Sequence, residues 1–189
     1  MRRPGTWWAA MQPVDGDSAT LVSPRVRISR KEEYVTLTII HFINLLLVAL
    51  LVGTMFGIWI GFDPAGLSAA TYVEQQQHTI RALNTLMPLL GAVCIVLTIV
   101  LAVLTQGNPR GRYLLVAAVV CLLIAGVVTR FRNQPINGLV MIWNAQAPPA
   151  NWTELRDQWW QWHIVRTVVG IAALCLLIVA VLLSRNPAS

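Results

Sequence analysis

Four long apolar runs, separated by polar segments of unequal length, set the pattern of this chain. They cover residues 37–62, 81–104 (with an apolar core from Leu86), 113–129 and 164–183. None shows the two-residue alternation of a half-buried strand. Crossing the hydrocarbon layer takes about 20 apolar residues in a helix. Backbone groups in lipid are satisfied only within helices or closed barrels. The pattern therefore predicts an all-α, integral membrane four-helix bundle occupying residues 36–185, with helices at about 37–62, 81–104, 113–129 and 164–183. Residues 1–35 form a basic N-terminal arm, rich in Pro, Gly, Ser and Arg and without apolar periodicity. A disordered or weakly ordered segment is expected there. The first apolar run begins behind 36 polar residues and is too long for the core of a secretory signal.

The connections differ in kind. Residues 106–112 (QGNPRGR) form a tight polar turn, which predicts an antiparallel hairpin of helices two and three. Residues 62–80 and 130–163 are long connections on the opposite side of the membrane. Composition agrees with this reading: 56% of the chain is hydrophobic and 12% charged, whereas a soluble domain carries about a quarter charged residues. The net charge of +6 does not point to nucleic acid, because the basic residues cap apolar runs and form no stripe. They orient the chain instead. Arg2, Arg3, Arg25, Arg27, Arg30, Lys31, Arg110, Arg112 and Arg185 fall on one side, and Arg81, Arg130, Arg132, Arg156 and Arg166 on the other. Nine against five predicts a multi-pass protein of the cell membrane with both termini and the tight turn in the cytoplasm. Cys94, Cys121 and Cys175 lie singly inside apolar runs and offer no disulfide or zinc framework.

The unusual residues gather on the outer side. Six of the eight tryptophans are there (Trp59, Trp143, Trp152, Trp159, Trp160, Trp162), with His78 and His163. Interfacial tryptophan is ordinary anchoring, but the polar residues form patterns. Glu74, Gln77, His78, Arg81, Asn84 and Thr85 share one helical face. They predict a polar stripe entering the membrane, with Pro88 kinking the helix beyond it. Arg156, Trp159, His163, Arg166 and Gly170 share a face entering helix four. An ionisable Arg166 inside the boundary is costly and faces either the bundle interior or, by snorkelling, the surface. Between these stripes lies RFRNQPIN (130–137), which predicts a rigid hydrogen-bonding loop, and then Trp143.

Turned inward, these elements would build a polar pocket at the outer mouth of the bundle. Two uses of it stay open. Glu74, His78 and His163 could ligate a transition metal. Alternatively, His78 or His163 could act as general acid–base, with Arg166 and Arg130 holding a phenolate or other anion. Thus the cofactor is either a transition metal or none. Arg81, Asn84, Asn133, Asn137, Trp143 and Trp159 are the expected substrate contacts. His41 and Asn44, near the inner end of helix one, fit an interhelical hydrogen bond. Gly53, Gly57 and Gly61 form a small-residue ladder suited to close packing, within the bundle or between protomers. No charged or hydroxyl stripe runs the length of any apolar segment, so a channel is disfavoured.

Residues 72–88 (YVEQQQHTIRALNTLMP), 133–143 (NQPINGLVMIW) and 152–167 (WTELRDQWWQWHIVRT) resemble the anthrone-oxygenase-like membrane proteins. The most specific elements are Asn133-x-Pro135-x-Asn137 and the segment carrying Trp159, His163 and Arg166. Characterised fungal members resembling this pattern convert an anthrone to an anthraquinone with molecular oxygen. The resemblance would carry that role to Asn133, Asn137, Trp159, His163 and Arg166, while the basic arm lies outside the family pattern. Two functions follow as expectations. One is a membrane oxidoreductase or oxygenase acting on an aromatic or quinol-type molecule. The other is a non-catalytic membrane subunit of a larger complex, or a small-molecule binder or carrier; the expected assembly is a homo-oligomer or a membrane complex. The bilayer is a partner in either case, and nucleic acid in neither.

Overall fold

A computed structural model of the chain describes residues 24–105 and 108–184. Most of the expected weakly ordered arm, Gln106 and Gly107 of the tight turn, and Arg185 lie outside the described residues. The chain divides into two units, residues 1–36 and 37–189, and the second carries everything below except the first residues of α1. Six α-helices follow one another: α1 (Pro24–Gly61), α2 (Ala69–Leu83), α3 (Leu86–Leu104), α4 (Pro109–Val128), α5 (Gln134–Val140) and α6 (Trp152–Ser184). A 3-10 turn (Pro64–Gly66) precedes α2, and a π-turn (Thr129–Asn133) joins α4 to α5.

The helix starts follow from side-chain caps, which satisfy amide N–H groups that the first turn leaves orphaned. Ser68 accepts a bond from the Thr71 amide at 3.3 Å. Asn108 accepts from the Gly111 amide at 3.0 Å, with Pro109 at the first helical position. Gly111 has a steric reason as well, since a Cβ there would sit 3.1 Å from the Asn108 side chain.

Four stretches are long and apolar enough to cross a membrane: Tyr34–Gly66, Leu86–Leu104, Pro109–Val140 and Trp152–Leu183. Large apolar side chains cover their outer surfaces, among them Phe42, Leu50, Leu89, Val96, Val116 and Leu182. A water-soluble protein does not expose a continuous apolar surface of that kind. In a bilayer it is the stable arrangement, and the chain is an all-α integral membrane four-helix bundle. The interior packs Val48, Leu51, Val52 and Met55 of α1 against Cys94 and Leu101 of α3, Leu115, Ala118 and Leu122 of α4, and Ala173, Leu177 and Ala180 of α6. Small residues on α6 let helices approach closely. A Cβ at Gly170 would come within 2.9 Å of Met55 Cε and 3.3 Å of Val52 Cγ2. Asn44 of α1 donates to Thr98 Oγ1 of α3 at 3.0 Å, the interhelical bond expected of it.

Three expectations need correction. The second apolar segment is not one helix from 81: the chain breaks at Asn84–Thr85, separating α2 from α3. Pro88 is the cause. Lacking an N–H, it cannot bond the carbonyl four residues back, which is that of Asn84. The expected kink is thus a break one turn earlier, and α2 is not among the candidate spans. Consequently the polar stripe does not run on into a spanning helix. Glu74, His78, Arg81, Asn84 and Thr85 are exposed, while Tyr72, Val73, Gln76 and Ile80 are buried. Lastly, residues 130–137 are helical, not a loop: α4 widens into the π-turn and continues as α5. Pro135 again removes an amide donor, and a π-turn accommodates the lost bond.

Candidate functional site

The end of the bundle bearing α2, α5 and the start of α6 holds a second apolar cluster. Ile80, Ile136, Val140 and Trp159 are its buried centre, and Ile58, Phe62, Trp143, Leu155 and Trp160 pack around them. Gln77 ties α2 to this cluster. Its Nε2 donates to the carbonyls of Val140 at 2.9 Å and Trp143 at 3.0 Å. Tyr72 sits nearby against Phe62 and Trp152, its hydroxyl buried without a partner. Burial pushes that hydroxyl's pKa above its ordinary value, against the pull of Arg156, so Tyr72 stays a neutral phenol.

Between this cluster and the bundle core lies a cavity of about 240 Å³. Its walls are mainly apolar: Leu51, Met55, Ile58, Ile80, Met87, Pro88, Leu122 and Trp159. Its polar lining is Gln76, Thr79, Asn84, Thr129, Arg130, Gln134, Asn137 and Arg166. A mostly apolar hollow with a few placed polar groups is the usual form of a small-molecule site.

Arg166 is the cavity's central charge. It projects from α6, three residues beyond His163, so the two side chains meet on one face. Its Nε and Nη2 lie 3.2 and 2.8 Å from His163 Nδ1. Its Nη1 donates to Thr129 Oγ1 at 3.2 Å, and the guanidinium lies 5.9 Å from the centre of the Trp159 ring. Thr129 Oγ1 in turn donates to the Ala125 carbonyl at 2.8 Å. Among the described residues the ion pair is Arg156–Asp157, so no carboxylate neutralises Arg166.

Because a guanidinium only donates, His163 Nδ1 must accept. Its Nε2 then carries the proton and donates to the Met55 carbonyl at 3.0 Å. The imidazole is therefore neutral, with both nitrogens engaged. It also lies against two neighbouring indoles, with ring centres 5.1 Å from Trp159 and 5.7 Å from Trp160 and near-parallel planes. The sequence spacing explains this, since Trp159 and Trp160 precede His163 by four and three residues on the same helix. His163 is fully buried and does not line the cavity itself, but it touches three residues that do, Arg166, Trp159 and Met55.

Across the cavity runs a chain of amides. Trp159 Nε1 donates to Asn137 Oδ1 at 2.7 Å, and Asn137 Nδ2 donates to Asn84 Oδ1 at 2.9 Å. An indole N–H is a donor only, which fixes the order of the chain and leaves Asn84 Nδ2 as a free donor at the wall. Behind it, Asn133 Nδ2 donates to the Trp159 carbonyl at 3.0 Å, and its Oδ1 is buried without a partner.

The expected site residues thus separate by place. Arg166, Arg130, Asn84, Asn137 and Trp159 line one cavity. His163 and Asn133 stand behind that wall, holding Arg166 and Trp159. Trp143 packs in the neighbouring cluster. Arg81 is exposed and reaches Gln77 at 3.4 Å. The expected metal set is not assembled, because Glu74 and His78 are exposed on α2 whereas His163 is buried. No group of three or more His, Cys, Asp or Glu among the described residues is placed to hold a metal ion.

One residue was missed altogether. Gln76 is 1% exposed and lines the cavity, yet neither its Nε2 nor its Oε1 has a partner. A signal for it existed. Tyr72, Val73, Gln76, Ile80 and Leu83 repeat at helical spacing as the apolar face of α2, with one amide in its middle.

A family model described as Anthrone oxygenase matches residues 77–176, which include α3, α4, α5 and most of the cavity wall. No curated protein and no solved structure matches the chain.

Proposed function

The chain belongs to the anthrone oxygenase family, and on that premise we propose that it is a membrane-bound oxygenase acting on an aromatic, quinol-type molecule in the cavity. The observation that carries this reading is Arg166, a guanidinium facing a mainly apolar cavity with no carboxylate to neutralise it. A cation so placed favours whatever negative charge appears beside it, and it does so more strongly in a dry site than in water. An anthrone is uncharged until it loses a proton from the carbon opposite its carbonyl. The anion that results carries its charge on the carbonyl oxygen.

In this reading Arg166 holds that oxygen and lowers the cost of deprotonation. Asn84 Nδ2 donates a further hydrogen bond, and Trp159 lies along the ring. His163 is a positioning residue, because both its nitrogens are spent on Met55 and Arg166. The proton leaves to water at the open side of the cavity, near exposed Arg130. The carbanion then forms a C–O bond with dioxygen, giving a hydroperoxide once that oxygen is protonated. Loss of water from the hydroperoxide makes the second carbonyl. The balance is one anthrone and one dioxygen to one anthraquinone and one water.

The test is anthraquinone formation from anthrone in air, followed by absorbance, on protein purified in mild detergent with its metal content measured in parallel. Wild type should exceed the uncatalysed rate, and Arg166→Leu should lower kcat/KM by about 10²-fold or more, as removal of one oxyanion donor does elsewhere. A wild-type rate equal to that of anthrone alone overturns the proposal.

A further inference from the structure

A second hollow, of about 320 Å³, lies between α1 and α2 and is lined by Thr54, Gly57, Ile58, Gly61, Phe62, Gln75, Gln76 and Thr79. It meets the cavity, since Ile58, Gln76 and Thr79 line both. The sequence makes this groove through two glycines one helical turn apart. Gly57 and Gly61 are exposed, and a Cβ built on either meets no atom within 4 Å. Side chains at those positions would stand where the groove now is. The stretch of α1 that bears the glycines belongs to a membrane span, and Phe56 and Ile60 beside them are exposed apolar residues of the bilayer-facing surface. The groove therefore opens where a lipid-dissolved molecule would be. At its inner end stands Gln76, buried, with both polar atoms of its amide unpartnered. Burying an amide without partners is costly, and a ligand that supplies the missing bonds removes that cost.

We infer that the groove past Gly57 and Gly61 is the lateral doorway to the cavity for a planar aromatic ketone, and that Gln76 receives its polar edge where groove and cavity join. Nε2 donates to the ligand's carbonyl, and Oε1 accepts from a ring hydroxyl on ligands that carry one. This rests on the cavity being the substrate site. It accounts for glycines whose Cβ positions meet no atom of the described residues, and for an amide that the fold leaves unsatisfied. An apolar substrate reaches the site from the membrane by this path without crossing water.

The experiment uses the full chain in lipid nanodiscs and anthrone as the probe, following quenching of tryptophan fluorescence by stopped flow. The double variant Gly57→Leu/Gly61→Leu should slow association by about tenfold or more while the final amplitude stays at the wild-type level, since the change is in the path and not in the site. Gly53→Leu, on the same ladder but outside the groove, should associate at the wild-type rate. To exclude a folding effect, Gly57→Cys is modified after purification with a benzyl methanethiosulfonate. Modification should slow association, and a reducing agent should restore it, with wild type treated identically as the control. An unchanged rate in the modified Gly57→Cys protein overturns the doorway while leaving the cavity intact. Equal slowing in Gly53→Leu overturns it too, and assigns the ladder to contact between copies of the chain. If anthrone does not quench wild type at all, the cavity reading fails and the doorway fails with it.

Discussion

Gln76 and His163 are both fully buried polar side chains, and they face opposite energetic situations. His163 has every ring nitrogen paired, and its ring packs against two indoles. In contrast, Gln76 has nothing paired. Replacing an unsatisfied buried amide by an apolar group of similar size removes a desolvation cost of about 1–3 kcal/mol. Gln76→Leu should therefore raise the melting temperature of the empty protein while weakening anthrone binding, read by equilibrium quenching. A variant that loses stability instead would mean that the amide is paired in the membrane. For His163 the signs reverse. His163→Phe keeps the stacked ring but strips the Met55 carbonyl and Arg166 of partners, so it should lose about 1–3 kcal/mol of stability. It should also lower kcat, with KM less affected, because a loosened Arg166 stabilises the anion poorly. Full activity in a folded His163→Phe protein would remove the positioning role.

At the scale of elements, the break between α2 and α3 sets the geometry of the site. It turns Asn84 toward Asn137, and it exists because Pro88 offers no donor to the Asn84 carbonyl. Pro88→Ala restores that donor. The two helices should then join, with a new exchange-protected amide at residue 88, while Asn84 rotates away from Asn137 and turnover falls; unchanged turnover with a continuous helix would show the break to be incidental. The same break shows what was legible in the sequence. Each apolar core was visible, because hydropathy reports contact with lipid directly. The ends of the helices were not. The structure starts α6 at Trp152 and continues the third span to Val140, and those extensions are amphipathic and lie beyond the continuous apolar runs. The stripe from Glu74 to Thr85 was assigned the inward face because it was followed into one long helix. Once the helix ends at Leu83, the facing rule changes: the apolar side of α2, with Gln76 in it, turns to the bundle. Which residues share a helical face can be read from spacing, but which face is buried depends on where the helix stops.

For the whole molecule, the arrangement of charge bears on what the cavity end faces. α2, α5 and the beginning of α6 lie at one end of the bundle, and the turn between α3 and α4 lies at the other, because each span reverses the chain. The turn is flanked by Arg110 and Arg112, while Arg81, Arg130, Arg132, Arg156 and Arg166 sit toward the cavity end. At that end charge is partly masked by aromatic contact: Arg132 lies 4.7 Å from the Trp162 ring centre and Arg156 5.1 Å from that of Trp152. Guanidiniums stacked on interfacial indoles serve as anchors, whereas the exposed Arg110 and Arg112 at the turn are of the kind retained in the cytoplasm. The cavity end should therefore face away from the cytoplasm. In a background with Cys94, Cys121 and Cys175 replaced, Ala147→Cys should react with a membrane-impermeant maleimide on intact cells, and Gly107→Cys only after permeabilisation. The reverse pattern would place the cavity end in the cytoplasm and would mean that the arginines near Trp152 and Trp162 count fully toward orientation. The lateral groove gives this result a chemical consequence. A substrate arriving through the bilayer is indifferent to orientation, but the water released beside Arg130 goes to whichever compartment the cavity end meets.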